Sequence, residues 1–126
     1  MDDKKILIVD EEGFSRICSA ILEFEGYGIE AVTDANGVGV RLNEREFGLI
    51  ITSYPYGVFI FDEIKRQNIA TIILSDHING DLISILEGFC NSYCMIKPLD
   101  YRKFRLLVRQ VMNGELSTIQ GGYNIV

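Results

Sequence analysis

Residues 5–12 read Lys5-Ile6-Leu7-Ile8-Val9-Asp10-Glu11-Glu12, an unbroken β-branched and leucine run that stops at three consecutive acids. A strand with one wet face alternates apolar and polar side chains, so a continuous apolar run predicts a strand covered on both faces. The pattern recurs at Ile29 to Val32, Leu49-Ile50-Ile51, Thr71-Ile72-Ile73-Leu74 and Cys94-Met95-Ile96. Helical stripes lie between these runs. Phe14, Ile17, Cys18, Ile21 and Leu22 form the first, closed by Gly26 and Gly28. Asn36 to Glu46 is the weakest helix, because Gly37 and Gly39 each cost up to about 1 kcal/mol relative to alanine. Val58, Phe61 and Ile64 mark a third helix, and Leu82, Ile85, Leu86 and Phe89 a fourth. Phe104, Leu107, Val108 and Val111 mark the last, with Asp100 as its cap.

Strict alternation of strand and helix predicts a doubly wound α/β domain, a five-stranded parallel sheet with helices on both faces and right-handed crossovers. The 126 residues suffice for one core. The periodicity supports a domain over residues 1–114. Residues 115–126, with Gly121-Gly122 and the end Tyr123, Ile125 and Val126, are left as a linker, a disordered end or an extra docking strand.

Composition narrows the classes. No apolar run approaches the roughly 18 residues of a membrane helix, and the charged start Met1-Asp2-Asp3-Lys4-Lys5 argues against a secretory signal, so a cytoplasmic place is expected. A formal charge of −6 argues against direct nucleic-acid binding, which needs clustered Lys and Arg. Cys18, Cys90 and Cys94 sit in apolar segments without the pairing or the His neighbours of a metal site, and read as reduced core thiols.

In an open parallel sheet, functional groups gather beyond the carboxyl ends of the strands. Asp10, Glu11 and Glu12 follow the first strand, and Ser53 then Tyr54-Pro55-Tyr56-Gly57 follow the third. Ser75, Asp76 and His77 follow the fourth, and Lys97-Pro98 the fifth. Acids, hydroxyl and lysine–proline in this order resemble the receiver (CheY-like) domain of two-component response regulators, over about residues 4 to 113. The resemblance implies a flavodoxin-like (βα)5 fold with strand order 2-1-3-4-5. It implies that Asp10 and Glu11 bind Mg2+, that Ser75 and Lys97 contact a phosphoryl group, and that Pro98 follows a cis peptide bond.

The chain also departs from that pattern. The family's phosphoacceptor aspartate is Ser53 here, the loop after it is shortened before Gly57, and the aromatic switch position is Cys94, with Tyr93 one place early. A carboxylate attacks phosphorus while cations neutralise the developing charge, and a serine hydroxyl lacking an adjacent base is a poor substitute. Losing one anionic ligand also weakens a Mg2+ site. The expected function is therefore that of a degenerate, or pseudo-, receiver: a signalling module acting by protein contact, not an enzyme, needing no cofactor and holding Mg2+ weakly if at all. Its partner would be a kinase, an output domain or a second copy, through the family's fourth-helix, fifth-strand and fifth-helix face at residues 81–111.

Other classes compete. A phosphoacceptor using Asp76 or Glu11 would keep the switching chemistry. A flavodoxin-like cofactor binder is disfavoured, because three carboxylates after the first strand would repel a phosphate. Individual residues also have plainer roles. The acids suit the positive end of the first helix, Lys97 can neutralise them, Ser75 can bond backbone, His77 can be a bystander, and Tyr54, Tyr56 and Phe59 can be local packing.

Overall fold

The computed structural model describes residues 4–33, 42, 46–89, 91–114 and 122–126. Strand β1 (Lys5–Val9) leads into α1 (Glu12–Phe24) and β2 (Ile29–Val32). Strand β3 (Phe47–Ser53) is followed by a 3-10 turn (Tyr56–Ile60) continuous with α2 (Phe61–Gln67). Then come β4 (Thr71–Ser75), α3 (Gly80–Leu86), β5 (Asn91–Ile96), α4 (Tyr101–Met112) and β6 (Gly122–Ile125). The helix expected over Asn36–Glu46 lies outside the described residues except for Leu42, which is helical and buried, and Glu46. Cys90 also lies outside them.

Every strand pairing is parallel, in the order β2-β1-β3-β4-β5-β6. The expected order 2-1-3-4-5 is present, but among the described residues the sheet has six strands rather than five. The additional strand comes from the tail. Its backbone pairs Ser92 with Tyr123 and Cys94 with Ile125, and the Val126 N–H donates to the Cys94 carbonyl at 2.8 Å. A sheet edge offers unpaired N–H and C=O groups, and an extended segment that can satisfy them gains a ladder. Residues 115–121 lie outside the described ones.

The continuous apolar runs produce two cores because alternate strand residues face opposite sides. Ile6, Ile8, Leu49, Ile51, Ile72, Leu74, Tyr93 and Met95 pack with α1 and α4 through Cys18, Leu22, Phe104, Leu107 and Val108. Leu7, Val9, Ile50, Ile73 and Cys94 pack with α2, α3 and Leu42 through Phe61, Ile64, Leu82 and Leu86. Complete burial of one such side chain contributes about 1.5–3 kcal/mol.

Local signals hold at most ends. Asp100 caps α4, accepting from the Arg102 and Lys103 N–H groups at 3.0 and 3.2 Å. Asn79 caps α3 through Leu82 N–H at 2.9 Å. Two expected core positions are corrected. Ile17, counted in the first helical stripe, is 51% exposed, because Ser15, Cys18 and Leu22 make the buried side of α1. Val58 is 45% exposed, since the third helix begins as a 3-10 turn whose tighter winding points it outward.

Candidate functional site

The carboxyl ends of β1, β3, β4 and β5 bring together the residues singled out in sequence. Asp10 follows β1 and is 1% exposed. Its Oδ1 accepts from the Glu11 N–H at 2.8 Å, and its Oδ2 accepts a hydrogen bond from the Ser53 hydroxyl. Burying a carboxylate is costly unless its lone pairs find donors, and these two contacts supply them. The base nearest the Ser53 hydroxyl is the Asp10 carboxylate, and carboxylates are weak bases. The pairing follows from register, because β3 lies beside β1 with Thr52 opposite Val9, and the next residue of each strand meets across the edge.

Ser75, 4% exposed, donates to the His77 carbonyl at 2.8 Å, the backbone role that was the plainer expectation. Asp76 and His77 are exposed. Lys97 follows β5, and its peptide bond to Pro98 is cis, as the resemblance implied. Its ammonium sits over the Phe14 ring, 4.7 Å from the centroid. A cation over an aromatic face is attracted by the ring quadrupole. Among the described residues Lys97 is in no ion pair, so direct neutralisation of Asp10 and Glu11 is not its contact. Sequence reasoning missed this seat; the only available signal was an aromatic residue in the first turn of the helix next to the acids.

Glu11 is exposed, and Glu12 pairs with Arg16 at 2.6 Å one helical turn on. Only Asp10 of the three acids points into the buried site. Among the described residues no group of three or more His, Cys, Asp and Glu could hold a metal. Both Asp10 oxygens are engaged and position 53 supplies a neutral hydroxyl, so the donor set fits octahedral Mg2+ poorly.

The loop after β3 closes over this edge. Its Tyr54–Pro55 peptide bond is cis. Gly57 lies so close to β3 that a Cβ there would stand 1.8 Å from Thr52 Oγ1. That oxygen is itself fixed, donating to the Val9 carbonyl at 2.8 Å. Tyr56 stacks edge-on against Phe59 and donates its hydroxyl to the Thr33 carbonyl beyond β2. Because β1 lies between β2 and β3, that bond crosses the end of the strand carrying Asp10.

Beneath the site, the Cys18 thiol is pushed up to about 12, chiefly by burial, then by the negative charge of Asp10, with Lys97 acting in the opposite direction. Burial also raises the Cys94 thiol and the Tyr93 phenol. Both cysteines are free and buried. Cys94, at the expected switch position, faces the α2–α3 side, whereas Tyr93 faces the α1–α4 side. Neither thiol is poised as a nucleophile.

No protein-family model and no curated protein sequence matches the chain. Solved structures do. A two-component response regulator from Clostridium difficile matches with a TM-score of 0.76 at 17% identity, covering 90% of this chain and 99% of that one. The beryllofluoride-activated NtrC4 receiver domain dimer matches at TM-score 0.72 and 21% identity, over 90% and 99% of the chains. NtrX from Brucella abortus, in complex with ATP, matches at TM-score 0.74 and 24% identity, over 87% of this chain. The present chain spans 26% of that NtrX chain. These likenesses establish the receiver-type α/β fold. Among the described residues no helix is long and apolar enough to cross a membrane.

Proposed function

We propose that this chain is a receiver-fold signalling module that transmits by protein contact and not by aspartyl phosphorylation. The observation that carries this reading is Ser53. It occupies the carboxyl end of β3, is 4% exposed, and gives its hydroxyl hydrogen to Asp10. In the fold that it resembles, that position supplies the attacking carboxylate. A neutral hydroxyl is not an anionic metal ligand, and a carboxylate is a weak base with which to turn it into a nucleophile for phosphorus.

The proposed partner surface is the face of α3, β5 and α4, residues 81–111. In this chain β6 lies along the β5 edge, so a partner at that face meets β6 as well. Asp76 and Glu11, the other carboxylates considered as acceptors, are exposed, and among the described residues no hydrogen bond or ion pair joins their side chains to Ser53 or Lys97.

Intact-mass analysis after incubation with acetyl phosphate and Mg2+ tests the reading. An unchanged mass, beside a receiver control that gains a phosphoryl group, is the expected result. A gain that hydroxylamine or alkali removes would show an acyl phosphate on a carboxylate, and would sink the contact-only reading. A gain resistant to hydroxylamine would place the group on a hydroxyl and sink it equally.

A further inference from the structure

Helix α1 carries more apolar surface than its seat on the sheet uses. Its buried side is Ser15, Cys18 and Leu22. At about 100° per residue, Gly13, Ile17, Ala20, Ile21 and Phe24 share the outward side. Phe24 is 88% exposed and Ile17 51%, Gly13 and Ala20 are exposed, and Ile21 is half-buried. Apolar residues scattered singly on a surface need no explanation, but a stripe at i, i+3, i+4 and i+7 is the pattern of a helix that faces another helix.

The charges on one border of that stripe say what covers it. Arg16 and Glu23 stand seven residues apart on the same border, near opposite ends of the stripe. Arg16 is held by Glu12 at 2.6 Å with both side chains 76% exposed, so it can turn outward at little cost. Glu23 is exposed and in no ion pair among the described residues.

We propose that α1 is a self-association face, on which a second copy of this chain packs its own α1 antiparallel about a two-fold axis near Ser19 and Ala20. A two-fold interface is self-complementary: whatever residue i meets, its symmetry mate meets residue i. Antiparallel packing inverts the border, so Arg16 of each copy meets Glu23 of the other. Parallel two-fold packing would put the Arg16–Glu23 borders of the two copies on opposite sides of the interface, where neither charge meets its complement. The same inversion brings Phe24 over Gly13 and against Ile17 of the second copy. Gly13 has nothing within 4 Å of where a Cβ would be, leaving room for the ring. Ala20 lies at the axis, where a small side chain lets two helices approach to about 8–10 Å. An unrelated partner would have no need of opposite charges in this symmetric order. The face is separate from the β5–β6 edge, so both can be occupied together.

Sedimentation equilibrium of the full chain over a range from low micromolar to high micromolar tests this, with thermal melts to confirm folding. Phe24→Lys should abolish the dimer while leaving the fold intact, since Phe24 is almost fully exposed. Arg16→Glu should weaken it by about tenfold or more through facing carboxylates, and Glu23→Arg should do the same through facing guanidinium groups. The combined Arg16→Glu, Glu23→Arg chain should recover the affinity, which a merely structural role for either residue would not produce. A strict monomer throughout the range overturns the proposal. So does a dimer that ignores Phe24→Lys, which would lie on another face, or one in which the double charge exchange fails to restore what the single changes lose.

Discussion

Ser53 and Asp10 are joined side chain to side chain across neighbouring parallel strands, hydroxyl to carboxylate, with both residues almost wholly buried. One partner comes from the strand that opens the chain and the other from 43 residues later. The pair satisfies a buried anion with a neutral donor, which makes position 53 a structural support for Asp10. Its disturbance should be felt first in stability.

Ser53→Ala removes the donor and leaves Asp10 Oδ2 without a protein partner in a buried site. Such an orphaned acceptor costs about 1–3 kcal/mol. Urea unfolding should show the midpoint falling with the slope unchanged. A loss below the error of the fit would mean that water replaces the hydroxyl fully.

Ser53→Asp places a second carboxylate against Asp10 and should destabilise the metal-free chain by a similar or larger amount, because like charges share one buried edge. Mg2+ should then stabilise the variant and not the parent. At a hundredfold excess over its dissociation constant a ligand contributes about 2.7 kcal/mol. A melting temperature equally indifferent to Mg2+ in both chains would show that Lys97 and the loop geometry, and not residue 53, bar the ion.

Gly57→Ala drives a methyl group into Thr52 Oγ1, at 1.8 Å in the unrelaxed backbone. The clash is with a side chain held by a hydrogen bond to Val9, so the loop must lift, at a cost of about 1–3 kcal/mol or more. Thr52→Ala in the same chain should recover part of the loss. A double-mutant cycle with no coupling would mean that the loop moves away as a unit.

The Cys18 thiol provides a pH prediction. Its ordinary value of 9.0 rises to about 12 in the folded protein, first because burial disfavours the thiolate and second because Asp10 is negative nearby. A group whose folded value is raised contributes stability fully present below its unfolded value and lost as pH rises through the folded one. Stability should therefore be flat below pH 9 on this account and fall between about 9 and 12, with the buried Cys94 and Tyr93 and the partly buried Tyr27 adding in the same direction. Near neutral pH a thiol reagent should label Cys18 only at the rate of opening, and rapid labelling of the folded chain would contradict its burial.

Removing residues 122–126 strips β6 from the sheet and leaves the β5 backbone, including the Cys94 carbonyl, as the new edge. Amide exchange should accelerate at the β5 edge while β1 and β3 keep their protection. If a partner uses the α3–β5–α4 face, its affinity for the shortened chain should also differ from that for the full chain. Unchanged exchange in β5 would show that β6 adds no protection there.

Much of this molecule was legible in one dimension because its signals are local. Continuous runs such as Ile6-Leu7-Ile8-Val9 require cover on both faces, and alternation with helical stripes makes the sheet parallel. Caps such as Asp100 act on the next few amides, and the residues after each strand must stand at its carboxyl end. From these alone came the fold class and the list of side chains at the site edge, while the order of the first five strands was implied by the resemblance to receiver domains. Contacts between distant segments were decided by the tertiary structure. Nothing in Ser53 announces that Asp10 takes its hydrogen, since that depends on β3 lying beside β1 in one register. Nothing in Lys97 announces Phe14, because a flexible cation chooses among all neighbours within reach. Ile17 had a core spacing and yet faces outward, since the helix has two apolar sides and only packing selects the one that meets the sheet. The tail became a strand for the same reason: Tyr123 to Ile125 is a weak signal until the open edge of β5 supplies the missing hydrogen bonds.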